Sequence, residues 1–175
     1  MKKFNLKNVL LLMVLVLTII SCKKDNNNAE PSTSNLVGTW NCTSVNYTGT
    51  SVTEVLGQSI TTDYTGEGYD VDFTYTFSEN PNLATSEGSF GIKLTSTILG
   101  QSTVQNIPGN SFNYTGNWSL AGDKITITYE GESQEATIVS LTDTNLVLNI
   151  IDETVTVLGT STMTETTNMT IVLSK

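Results

Sequence analysis

The sequence predicts an all-β domain over residues 36–175, and three observations carry that expectation. This stretch holds 28 Thr but only three Ala (Ala84, Ala121 and Ala136). Thr is enriched in strands, whereas Ala is the best helix former. Apolar and polar residues also alternate: Tyr69, Val71, Phe73, Tyr75 and Phe77 interleave with Asp70, Asp72, Thr74 and Thr76. That period of two belongs to a half-buried antiparallel strand with one inner face. Turn residues punctuate the pattern at Glu79-Asn80-Pro81-Asn82, Ile107-Pro108-Gly109-Asn110, Ala121-Gly122-Asp123 and Thr142-Asp143-Thr144-Asn145. About eight to ten short strands at this spacing make a barrel or a sandwich. No stretch carries a 3.6-residue apolar period.

Before the domain come two segments of different character. Lys2, Lys3 and Lys7 give a basic start, and Val9–Ile20 is an apolar run of 12 residues. A bilayer span needs roughly 20 apolar residues, so this run reads as the core of a signal peptide covering residues 1–21. Residues 23–35 contain no aliphatic side chain larger than Ala29 and read, with Cys22 at their head, as a flexible tether.

Composition excludes several function classes. The chain has no His, and all eight basic residues are Lys. Histidine-based triads, histidine metal sites and arginine clamps on phosphate are therefore out of reach. Removing residues 1–21 takes three lysines with it and leaves five against 17 acidic residues, a charge of −12. Such a surface repels phosphate backbones, so no nucleic-acid partner is expected.

Within the domain the segments follow in order. Val45-Tyr47 comes first, then the long alternating run to Phe77 and Phe90-Ile92-Leu94. Phe112-Tyr114, Ile125-Ile127-Tyr129 and Leu146-Leu148-Ile150 follow, and Val155-Val157 and Met169-Ile171-Leu173 close the chain. Tyr-Thr-Gly occurs at Tyr47, Tyr64 and Tyr114 with unequal spacings of 17 and 50 residues. This is no structural repeat; the glycines end or bend strands. The tyrosines beside them are the best candidates for an exposed stacking platform.

Candidate chemistry is sparse. Asp70 and Asp72 share a strand face behind Glu67, but alternation with five apolar partners makes them a solvated face rather than an acid/base pair. Asp152-Glu153 reads as a turn or surface pair. Cys42 has no basic neighbour in sequence and reads as a small buried apolar residue. No catalytic residue, metal ligand or cofactor is assigned, and no enzyme is expected. The domain holds 12 aromatic residues. Of the large inward candidates, Phe73, Tyr75, Phe77, Phe90 and Tyr129 are taken as ligand-lining.

Two resemblances sharpen the reading. Ile19-Ile20-Ser21-Cys22 resembles a bacterial lipobox. The resemblance implies cleavage before Cys22 and acylation of that cysteine by diacylglycerol and a palmitate. The chain would then be exported and held by lipid in the cell envelope, most naturally at the outer membrane. Leu36-Val37-Gly38-Thr39-Trp40 resembles the Gly-x-Trp signature of lipocalins, and Gly116-Asn117-Trp118-Ser119-Leu120 is a second copy. The following succession, Gly122-Asp123-Lys124 into Ile125-Thr126-Ile127 and then Ile138–Leu141 before Thr144–Leu148, is similar to the small lipocalin-like domains of bacterial lipoproteins. That implies an antiparallel up-and-down β-barrel with Gly38, Trp40, Gly116 and Trp118 as structural signature residues. It also implies a monomer that binds a small apolar ligand or, alternatively, a glycan or protein surface, without catalysis. Lipocalins cover the signature Trp with an Arg from the last strands. This chain has none, and Lys175 is too terminal to be assigned that place.

Overall fold

The computed structural model describes residues 31–175; Cys22 and the expected signal peptide, residues 1–21, lie outside that range. One helical turn, α1 (Thr33–Leu36), precedes nine strands: β1 (Gly38–Val55), β2 (Gln58–Ser78), β3 (Leu83–Ile98), β4 (Gln101–Ser111), β5 (Tyr114–Ala121), β6 (Lys124–Tyr129), β7 (Glu132–Leu141), β8 (Asn145–Leu158) and β9 (Ser161–Ser174). All neighbouring pairs are antiparallel. They run β2-β1-β9-β8-β7-β6-β5-β3-β4, and an additional β2–β3 pairing closes the ring. Eight strands thus form an up-and-down barrel, and β4 is an appendage. The first four pairs of β3, Leu83–Ser86, hold β5, and its later residues from Ser89 hold β4 along the same edge.

Unequal strand lengths shape the molecule. β5, β6 and β7 have only 8, 6 and 10 residues, while β1 and β2 have 18 and 21. β7 leaves β8 at the pair Thr137↔Asn149, yet β8, β9, β1, β2, β3 and β4 continue to pair beyond that level. A short closed barrel therefore carries a six-stranded blade on one side of its open end. Thr and Ser supply much of the blade, which suits strands exposed on both faces.

The other end is sealed. Leu36, Trp40, Phe77, Ile125, Leu146 and Leu173 are at most 1% exposed and form the floor with Trp118. Trp40 donates its indole N–H to the Leu36 carbonyl at 2.7 Å, and Trp118 donates to the Ser78 carbonyl at 2.9 Å. Each large ring thus enters the core without stranding its one polar atom. Gly38 has φ +128°, a region closed to side-chain-bearing residues.

Lys175 corrects the expectation about the missing Arg. Its ammonium lies 4.2 Å from the Trp40 ring centroid and donates to the Asn35 and Val37 carbonyls at 3.0 and 2.9 Å. β9 pairs along β1, so the last residue arrives back at the start of the domain. Lys175→Gln removes a cation–π contact and weakens two charge-assisted hydrogen bonds, so it should lower stability by about 1–2 kcal/mol, read in urea denaturation.

Two further expectations change. Asp70 adopts φ 49°, and the register slips between Tyr69 and Asp72. This bulge inverts the alternation, so Tyr69 faces outward and donates to the Ile107 carbonyl at 3.2 Å. Ile107–Asn110 is not a turn: Pro108 and Gly109 lie within β4. That strand has one free edge, which is where a sheet tolerates a residue without an N–H.

Candidate functional site

Aromatic residues climb the barrel wall from the floor. Trp118 meets Phe77 edge-on at 6.0 Å, and Phe77 stacks against Tyr75 at 5.8 Å. From Tyr75 one branch continues through Phe73 to Phe90 and Phe112, which stack at 4.8 Å. This branch packs where β3 passes from β5 to β4. The other branch runs through Tyr114, 6.4 Å from Tyr75, to Tyr129.

Opposite this column the barrel is hollow. A cavity of about 380 Å³ opens at the unsealed end, walled by Ile125 and Ile127 of β6, Ala136 of β7, Leu148 and Ile150 of β8, and Ile171 of β9. Tyr75, Tyr114 and Tyr129 complete the wall, with Glu132, Ser133, Gln134 and Asp152. The last four are all exposed and the deeper aliphatic residues are not, so the polar groups form the mouth. Such a volume, with apolar walls and a few polar groups, has the proportions of a small-molecule site.

The electrostatics are one-sided. The Tyr75 and Tyr114 hydroxyls lie 2.6 Å apart and satisfy one another. Burial, reinforced by Tyr114, pushes the Tyr75 hydroxyl well above the ordinary tyrosine range, so it stays protonated and neutral. The mouth carries two carboxylates, and among the described residues no lysine lines the cavity. Lys124 instead pairs with Glu135 at 3.2 Å, and Lys93 is exposed.

The residues singled out from sequence separate accordingly. Tyr75 and Tyr129 line the cavity; Phe73 and Phe77 are buried in the core, and Phe90 packs against it. Tyr47 and Tyr64 are no exposed platform. Tyr64 is buried, with its hydroxyl 2.5 Å from Thr167 Oγ1. Each of the two rings covers the glycine opposite it, Tyr64 over Gly49 and Tyr47 over Gly66. A Cβ on either glycine would fall within 2.4 Å of ring atoms, so the paired Tyr-Thr-Gly segments serve to cover bare backbone. A Cβ at Gly116 would lie 2.5 Å from the Thr128 carbonyl oxygen, which explains the glycine two residues before Trp118.

The remaining residues singled out from sequence also find places. Asp70 and Asp72 are exposed, and among the described residues no three His, Cys, Asp or Glu gather as a metal-binding group. Cys42 is buried, and burial raises its thiol pKa, which suits an inert packing residue. Asp152 lies within β8 at the mouth rather than in a turn. Sequence reasoning missed Ala136, Leu148, Ile150 and Ile171 as cavity walls. Alternation marked Leu148, Ile150 and Ile171 as inward-facing, but nothing local marks which inward residues leave a void, and Ala136 carried no signal at all.

A closed antiparallel barrel with one plugged end and one hollow end defines the class of protein. The chain belongs to the lipocalin-like domain family, which matches residues 36–148. The match stops before β9, although that strand completes the ring. Neither curated proteins nor solved structures give a match.

Proposed function

We propose that this domain is a non-catalytic binder of a small, largely apolar ligand, neutral or cationic, held in the cavity at the barrel mouth. The observation that carries this reading is the void itself: about 380 Å³ between β5–β9, with aliphatic depth and a mouth bearing Glu132 and Asp152. An apolar chain desolvated there gains roughly 25 cal/mol per Å² of buried surface. An anionic head group would instead meet two carboxylates on a chain of net charge −9. Titration of the full chain with dodecylamine, dodecanol and dodecanoate, read by displacement of N-phenylnaphthylamine, tests the proposal. Affinity should fall in that order, with the amine at least roughly tenfold tighter than the acid, about 1.4 kcal/mol. Equal affinities, or no binding below about 1 mM, would remove it.

The second part of the proposal is the anchor. The lipobox-like Ile19–Cys22 motif supports cleavage before Cys22, acylation of its thiol and amine, and retention at a bacterial outer membrane. Cys22→Ser should shift the protein from the membrane to the soluble fraction, and intact mass of the native chain should show acylation at Cys22. Undiminished membrane retention of the variant would contradict the assignment.

A further inference from the structure

The blade ends in three hairpins of similar sequence, the third turning one residue later, at Gly159-Thr160. Val55-Leu56-Gly57-Gln58-Ser59, Ile98-Leu99-Gly100-Gln101-Ser102 and Val157-Leu158-Gly159-Thr160-Ser161 join β1 to β2, β3 to β4 and β8 to β9. The topology sets these turns side by side at one end of the sheet. Val55 pairs with Ser161, so two tips are level; Thr62 pairs with Ile98, so the third is set back by about four residues. Leu56, Leu99 and Leu158 are 84%, 91% and 69% exposed. Ile60, Ile98 and Val157 beside them are exposed as well.

Turn chemistry does not ask for these leucines. Leu56 and Leu99 adopt φ 50° and 49°, followed by Gly57 and Gly100 at 79°. Two-residue hairpins with positive φ at both positions favour Asn, Asp or Gly first, and a bulky residue there is strained. The β6–β7 turn has the same form with Glu130 at φ 50° before Gly131. A polar residue therefore serves in that geometry in this same chain. Leu56 and Leu99 have lost backbone comfort and, like Leu158 at the end of β8, remain in water, which points to a partner that receives them.

Charge identifies the partner. Across residues 54–60, 97–103 and 156–162 the single charged side chain is Glu54, in a chain with 17 acidic residues. Asp152, Glu153 and Glu165 sit further back along the strands, and Asp63, set back from the two level tips, pairs with Thr97 beside the third. The tips also project from a blade exposed on both faces rather than framing a groove. A folded partner would need three matched pockets, whereas a fluid surface accepts each ridge independently. We propose that this row is a membrane-contact edge, seated in the head-group boundary of a neutral, zwitterionic bilayer. The turn backbone stays at head-group level, because its free N–H and C=O groups need water, and the leucine side chains dip beneath it. Anionic lipid is disfavoured by the acidic body.

The tips lie at the far end of β1 from α1, about 60 Å away for 18 residues. The chain from Cys22 to Thr33 spans at most about 40 Å. A lipid anchor at Cys22 and these tips would thus share a bilayer with the blade inclined to it. The contact itself is independent of the cavity and of acylation.

Tryptophan placed at the tips tests this in the full chain with phosphatidylcholine vesicles carrying brominated acyl chains. Trp40 and Trp118 are buried and supply a constant background. Leu56→Trp and Leu99→Trp should each shift to shorter wavelength and be quenched roughly twofold or more beyond Glu130→Trp, which shares the turn geometry off the row. Tip fluorescence that stays water-like, or that matches Glu130→Trp, would overturn the proposal. So would quenching that appears only when phosphatidylglycerol is added, since that would assign the edge to anionic lipid.

Discussion

Trp40→Ala should lower the free energy of unfolding by about 3–5 kcal/mol, the range for deleting a large buried aromatic side chain. Trp40 has no exposed surface and fills the floor with Leu36, Phe77 and Leu173. Its removal opens a cavity bounded by strands that are hydrogen-bonded on both sides and cannot collapse inward. It also leaves the Leu36 carbonyl without its 2.7 Å donor and the Lys175 ammonium without the ring beneath it. Trp40→Phe should recover part of the loss by restoring apolar volume, though not the indole hydrogen bond. The measurement is urea denaturation followed by far-ultraviolet circular dichroism. A midpoint unchanged in Trp40→Ala would show that the floor does not depend on this ring.

Ala136→Trp should abolish ligand binding while leaving a folded barrel. Ala136 is buried on β7 opposite Ile125, and its methyl group faces the cavity. An indole there occupies much of the 380 Å³ that a ligand would use. Affinity for the tightest of the C12 probes should fall at least roughly a hundredfold, about 2.8 kcal/mol. Filling an existing void limits the overpacking cost to about 1–3 kcal/mol, so the variant should still unfold cooperatively. Val139→Trp is the matched control: Val139 is 61% exposed at the β7 bulge, and a new ring there should leave binding unchanged. Equal binding by wild type and Ala136→Trp would move the ligand out of the barrel.

These two variants differ in how visible their targets were beforehand. Trp40 stands in a local motif, Gly38-Thr39-Trp40, at the first strand, and the resemblance of that motif to the lipocalin signature is what implied its structural place. The strands were legible because alternation and Thr content act within a few residues of the chain. Alternation misled only where a bulge inverted it, as at Asp70, because one extra residue exchanges inner and outer faces.

The sequence by itself determined the all-β class and the acidic balance of the body, and its resemblance to lipocalins implied the barrel with Trp40 as a signature residue. Tertiary structure alone decided where the space lies. Phe73, Phe77 and Phe90 looked as suited to a ligand as Tyr75 and Tyr129, yet the three phenylalanines pack with one another's neighbours and fill one side. The void on the other side is bounded by Ala136, Leu148, Ile150 and Ile171, drawn from three strands. It exists because a small side chain on β7 faces the aromatic column across a closed ring. Lys175 over Trp40 has the same origin, since only the β9–β1 pairing brings residues 135 positions apart into contact. Periodicity records which way each residue faces, but a cavity or a cation–π contact depends on what stands opposite, and closure of the barrel sets that.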